Sequence, residues 1–93
     1  MAGATVRTKH PNKGKSGRNI SKEKYEAIRK AMLSALRQKA LTHSELFKEL
    51  EKKVKKTFEG NVSWYGETVK LDLEARKAIE RTATRPERYR IKR

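Results

Sequence analysis

The sequence predicts an α+β fold, three helices followed by a C-terminal two-stranded β-hairpin. Three observations predict it. Apolar residues recur at three- and four-residue steps from Tyr25 to Leu36 and again from Leu46 to Val54, the spacing of helices with one buried stripe. A third helical pattern, carried by Val69 and Leu73, runs into a β-type stretch, Ala78-Ile79-Glu80-Arg81. After a polar loop holding Thr82, Thr84, Arg85 and Pro86, the segment Arg88-Tyr89-Arg90-Ile91-Lys92 alternates apolar and basic, as a strand with one face on a core does.

Composition limits what such a fold can be. The chain has 93 residues, enough for one domain with a small core. It contains no cysteine, which excludes disulfides and thiolate metal sites and fits a reducing cytoplasm. No apolar run approaches the roughly 20 residues that a membrane helix needs, and the first residues lack a signal-peptide core. The Asn-x-Ser sequons at Asn19 and Asn61 are then read as chance. Charge is the strong fact: 25 basic residues face 11 acidic ones, a net +14. That balance speaks of partners. Nucleic acid is the leading polyanion, ahead of acidic membrane surfaces and acidic proteins.

Taken in order, residues 1–20 hold Arg7, Lys9, Lys13, Lys15 and Arg18, no acidic residue and little to bury. They are predicted to be a disordered basic tail, either solubilising or tracking phosphates, ahead of a domain over residues 21–93. Gly14-Lys15-Ser16 does not complete a phosphate loop, because Lys9 stands where the motif needs its first glycine. The first helix should run from Ser21, its cap, to about Lys39, burying Tyr25, Ile28, Met32, Ala35 and Leu36. Ala40-Leu41 reads as a short extended link. Thr42 and Glu45 form a capping box for the second helix, with Leu41 and Leu46 stapled across it. Its buried face is Leu46, Phe47, Leu50 and Val54, extended by Phe58. His43 is expected to be a surface histidine. A loop with Gly60-Asn61 leads to a third helix over about Trp64 to Arg76, capped by Ser63. In the hairpin, Ala78–Arg81 should pair with Arg88–Ile91.

Helix, extended link, helix, helix, hairpin is an order that resembles the winged helix-turn-helix superfamily, over about residues 21 to 93. The most specific stretch runs from Val69 through Leu73-Glu74-Ala75-Arg76-Lys77 to Ala78-Ile79-Glu80-Arg81. It looks like the end of a recognition helix passing into the first wing strand, as in many small bacterial regulators. Lys77 stands where the family usually has a glycine in a left-handed conformation, and the loop before the third helix is longer than the usual turn. The resemblance implies a winged helix that docks on nucleic acid, although this fold also mediates protein contacts.

The charge is unevenly spread. Residues 61–77, the would-be reader, carry three basic and three acidic residues, whereas residues 78–93 carry six basic and two acidic. The expected ligand is therefore nucleic acid, DNA ahead of RNA, held mainly through backbone phosphates. Arg81, Arg85 and Arg88 would serve from the wing, Lys70 and Arg76 from the third helix, and Arg7, Lys9, Lys13, Lys15 and Arg18 from the tail. Glu67 and Glu74 should share the third helix's exposed face with Lys70. The alternative is a protein-binding surface built on Trp64, Tyr65 and Leu71, and ribosome association is a third reading. Trp64 itself reads first as core against the second helix, and otherwise as an exposed aromatic. No histidine pair or nucleophile–base spacing supports catalysis, no cofactor or metal is implied, and no extra dimerisation helix argues against a monomer.

Overall fold

The computed structural model describes residues 3–12, 14–15 and 17–92. Among the described residues, three helices and two small antiparallel sheets make up an α+β fold. In chain order these are β1 (Thr5–Arg7), β2 (Asn19–Ser21), α1 (Lys22–Gln38), β3 (Leu41–Thr42), α2 (His43–Val54), α3 (Val62–Ala75), β4 (Ile79–Arg81) and β5 (Arg88–Ile91).

Local chemistry sets the helix ends. The Ser21 hydroxyl accepts from the Lys24 amide at 3.4 Å, opening α1. At α2 the capping box is complete: Thr42 Oγ1 accepts from the Glu45 amide at 3.2 Å, and Glu45 Oε1 accepts from the Thr42 amide at 2.9 Å. That satisfies two of the helix's open donors. α2 stops at Val54, so half-buried Phe58 lies beyond it rather than on its face. α3 begins earlier than Ser63 predicted. Asn61 is its cap, its side-chain oxygen accepting from the Trp64 amide at 2.9 Å.

The C-terminal end of α3 closes with Lys77 in the left-handed region, at φ 64°. The Ala78 amide donates to the Leu73 carbonyl at 2.9 Å and the Lys77 amide to that of Glu74 at 3.1 Å. Those two bonds are a Schellman closure, and they turn the chain directly into β4. A lysine thus holds the conformation that favours glycine.

α1 runs through the middle of the core. Its Ile28 and Met32 are fully enclosed, with Leu46 and Leu50 of α2, Val69 and Leu73 of α3, and Ile79 and Tyr89 of the sheet around them. α3 lies close on α2 because Gly66 has no side chain; a Cβ there would stand 2.6 Å from the Phe47 ring. The C-terminal hairpin is not confined to two strands. β3, read from sequence only as an extended link, pairs with β5 as Leu41 opposite Tyr89, giving the antiparallel order β3-β5-β4.

Residues 1–20 were expected to be a disordered tail, and over their described part the structure corrects this. β1 and β2 pair antiparallel, with Val6 opposite Ile20. Ile20 joins the core cluster, and Thr8 is 2% exposed. A single buried isoleucine and one threonine are too sparse a signal for periodicity to detect.

Candidate functional site

The N-terminal hairpin is fastened to α3 through one buried carboxylate. Asp72 Oδ1 accepts from the Lys9 amide at 2.8 Å, and Asp72 Oδ2 accepts from the Tyr25 hydroxyl at 2.5 Å. Arg76 Nε donates to both carboxylate oxygens at 2.9 Å, and its Nη2 reaches the Arg7 carbonyl at 3.4 Å. Desolvation, reinforced by the hydrogen bond and charge of Asp72, pushes the Tyr25 phenol up to about 12, so it stays a donor. Within the hairpin, Thr8 ties the two arms together. Its amide and hydroxyl donate to the Arg18 carbonyl at 2.8 and 3.1 Å, and its oxygen accepts from the Arg18 amide at 2.7 Å. Gly17 is required there, since a Cβ would collide with the Thr8 carbonyl.

Docked in this way, the hairpin overhangs one face of α3. Between them lies an open cavity of about 440 Å³. Thr8, Lys9, His10, Lys15, Gly17 and Arg18 line one wall, and Trp64, Glu67, Thr68 and Leu71 line the other. Trp64 is the exposed large hydrophobic among the described residues, at 44%, which overturns its reading as core against α2. Its indole meets Tyr65 edge to face, with centroids 4.9 Å apart. Tyr65 itself turns away, toward Phe58 and Lys24. Trp64 and Leu71 therefore share a surface, and Tyr65 is not part of it.

Among the described residues the side chains of Lys9, Lys15 and Arg18 have no carboxylate within ion-pair distance. Lys13 lies outside the described residues. The one carboxylate lining the cavity, Glu67, is engaged elsewhere, accepting from His43 Nε2 at 3.1 Å and lying 3.1 Å from Lys70 Nζ. Burial alone would raise its pKa, but those two partners prevail and hold it below the usual carboxylate range.

The remaining expected site residues fare differently. Lys70 is 3% exposed and does not present itself to a ligand. Its ammonium donates to the Tyr89 hydroxyl at 3.1 Å and lies near Glu67 and Glu74. Glu74, expected on the exposed face, is instead gripped by Arg81, whose Nε and Nη2 donate at 2.9 and 3.2 Å. Arg81 also reaches Glu87 at 3.3 Å. Arg88 lies 3.8 Å from Glu45, and Arg90 is held by Glu80 at 2.7 Å. Of the three arginines expected to serve from the hairpin, Arg81, Arg85 and Arg88, only Arg85 is exposed with no carboxylate partner among the described residues. Sequence reasoning passed over Asp72, Thr8, His10, Gly17 and Thr68, which build or line the cavity. Asp72 left one trace, its four-residue spacing from Arg76.

Among the described residues no group of three His, Cys, Asp or Glu side chains could hold a metal ion. No described helix is long and apolar enough to cross a membrane. A family model whose description is family of unknown function (DUF6958) matches residues 5–89. That match takes in the N-terminal hairpin as well as the helices. No curated protein and no solved structure matches the chain.

Proposed function

The chain belongs to the DUF6958 family, and we propose that it is a nucleic-acid-binding protein of winged-helix type. The order α1-β3-α2-α3-β4-β5, with β3 added to the edge of the β4–β5 hairpin, supports the fold reading. In that reading α3 is the recognition helix and the β4–β5 loop is the wing.

The observation that carries the function is the cavity against α3. There Lys9, Lys15 and Arg18 stand without carboxylate partners beside an exposed aromatic. Unpaired cations can replace counterions on a phosphate backbone at little internal cost, whereas Arg81 and Arg90 would first have to leave Glu74 and Glu80. The phosphate grip therefore centres on the N-terminal hairpin and the wing tip at Arg85. Duplex DNA is the ligand this geometry favours, with sequence-independent contacts dominating.

The test is binding of a labelled random duplex by fluorescence anisotropy as salt is raised. Affinity should fall along a log–log slope of about −0.9 for each phosphate engaged. A flat dependence, or no binding at low salt, would favour a protein partner instead. One observation gives that second reading substance, the exposure of Trp64 beside Leu71, since buried aromatic anchors dominate protein interfaces.

A further inference from the structure

We infer that the cavity between the N-terminal hairpin and α3 is a receptor for one unpaired nucleobase, stacked on Trp64, with its adjoining phosphate held by Lys9, Lys15 and Arg18. This rests on the nucleic-acid reading and narrows it from a phosphate-tracking surface to a site that takes a base out of a strand.

Three features of the cavity point to that occupant. First, it is concave and of ligand size. About 440 Å³ falls within the roughly 300–1,000 Å³ of sites that enclose a small molecule, and a duplex backbone needs no such recess. Second, a flat aromatic and a cluster of cations face each other across it. A nucleotide unit carries a π-face and an anionic phosphate a short distance apart, which matches both walls at once. Base–aromatic stacking tolerates any base, because every base has a π-face. Third, groups able to meet a base edge lie between them. His10 and Thr68 line the same recess. Nδ1 of His10 already accepts from the Asn12 amide at 3.0 Å, which leaves Nε2 to carry the ring proton as a donor. An acidic peptide would satisfy the cations but offers no flat ring for the indole.

The geometry is also held in advance. Thr8 locks the hairpin arms, Asp72 ties the hairpin to α3, and Tyr65 supports the indole edge. A site fixed before binding loses little entropy when it fills.

Trp64 is the single tryptophan of the chain, so its intrinsic fluorescence reports this cavity alone. The experiment titrates the full chain with four probes: a ten-nucleotide oligothymidylate, a blunt duplex, an adenosine monophosphate and an oligoglutamate peptide. Labelled forms of the first two are followed in parallel by anisotropy. The oligothymidylate is expected to quench Trp64 strongly, the blunt duplex to bind with little quenching, and the mononucleotide to quench only at far higher concentration. Trp64→Ala should weaken oligothymidylate binding about tenfold or more, a far larger factor than it costs blunt-duplex binding. Lys15→Ala and Arg18→Ala, which keep the fluorophore, should shift the quenching titration to higher concentration.

Duplex binding with no quenching by the oligothymidylate would sink the base receptor and leave the nucleic-acid reading standing. Failure of both nucleic acids to bind would sink that reading itself. Quenching by the mononucleotide as tight as by the oligomer would assign the cavity to a free nucleotide, and tight quenching by oligoglutamate would assign it to an acidic protein. Either overturns the proposal. Trp64 is exposed, so its variant should fold, and an unchanged circular dichroism melt checks that it has.

Discussion

The ammonium of Lys70 lies 3.1 Å from the hydroxyl of Tyr89 and 4.8 Å from the centroid of its ring. The pair pins α3 to β5, with Glu67 and Glu74 supplying the compensating charge. A buried ammonium so satisfied is structural. Lys70→Ala should cost about 2 kcal/mol in urea-monitored stability, and it should leave nucleic-acid affinity unchanged at temperatures where the variant is folded. Lys70→Met, which keeps the aliphatic stem, should cost less. A loss of affinity in a fully folded Lys70→Ala would return this residue to the ligand surface.

The left-handed turn at Lys77 offers a gain. Non-glycine residues adopt that conformation at a cost of roughly 1–2 kcal/mol, and glycine adopts it freely. Lys77→Gly should therefore stabilise the fold by about 1 kcal/mol, net of the extra chain entropy, raising Tm by about 5 °C in a domain of this size. Differential scanning calorimetry measures it. A fall in Tm would mean that the Lys77 side chain contributes more than its backbone strain removes.

Alkaline pH should weaken the tie between α1, α3 and the hairpin. The Tyr25 phenol is raised from 10.0 to about 12 by burial and then by its hydrogen bond to Asp72. The neutral phenol is thus favoured by folding. Its contribution is fully present below pH 10.0 and is lost as pH climbs toward about 12. Urea melts at stepped pH should show stability declining across that window. Tyr25→Phe should be less stable at neutral pH and should show a shallower decline. Equal slopes for the two proteins would rule out Tyr25 as the cause.

The two arginines of the β4–β5 hairpin, Arg81 and Arg85, should behave oppositely. Arg85→Ala should lower affinity for all duplexes alike and reduce the salt slope by roughly 0.9, as one lost phosphate contact does. Arg81 is committed to Glu74 and Glu87. Its replacement by Ala should leave binding nearly unaltered and appear instead as a small loss of stability. Anisotropy titrations at several salt concentrations compare the two.

The helical framework was legible because its signals are local. Thr42 and Glu45, three residues apart in sequence, announced the start of α2, and the alternation around Tyr89 announced β5. Lys77 was visible as the residue occupying a glycine position, and it takes the left-handed conformation that the position demands. What escaped was set by tertiary charge. Lys70 reads as a solvated lysine on a helix face, and only the packing of α3 on β5 removes it from water. The hairpin was missed because its hold on the domain is polar and distant. Asp72 reaches back to the Lys9 amide, and a backbone donor has no sequence signature. The candidate cavity was accordingly legible only in fragments, with Trp64, Leu71 and the tail cations all singled out but assigned to rival surfaces.

The Asp72 anchor also orders events during synthesis. Residues 5–21 leave the ribosome well before α3, yet the partner that fixes them lies 63 residues later than Lys9. Until that helix has emerged and packed, the nascent chain displays its most purely basic segment with no docking site for it. Contacts of such long sequence separation form late, because the intervening loop must close first. Completion of α3 is then the moment when this basic segment becomes one wall of a shaped recess.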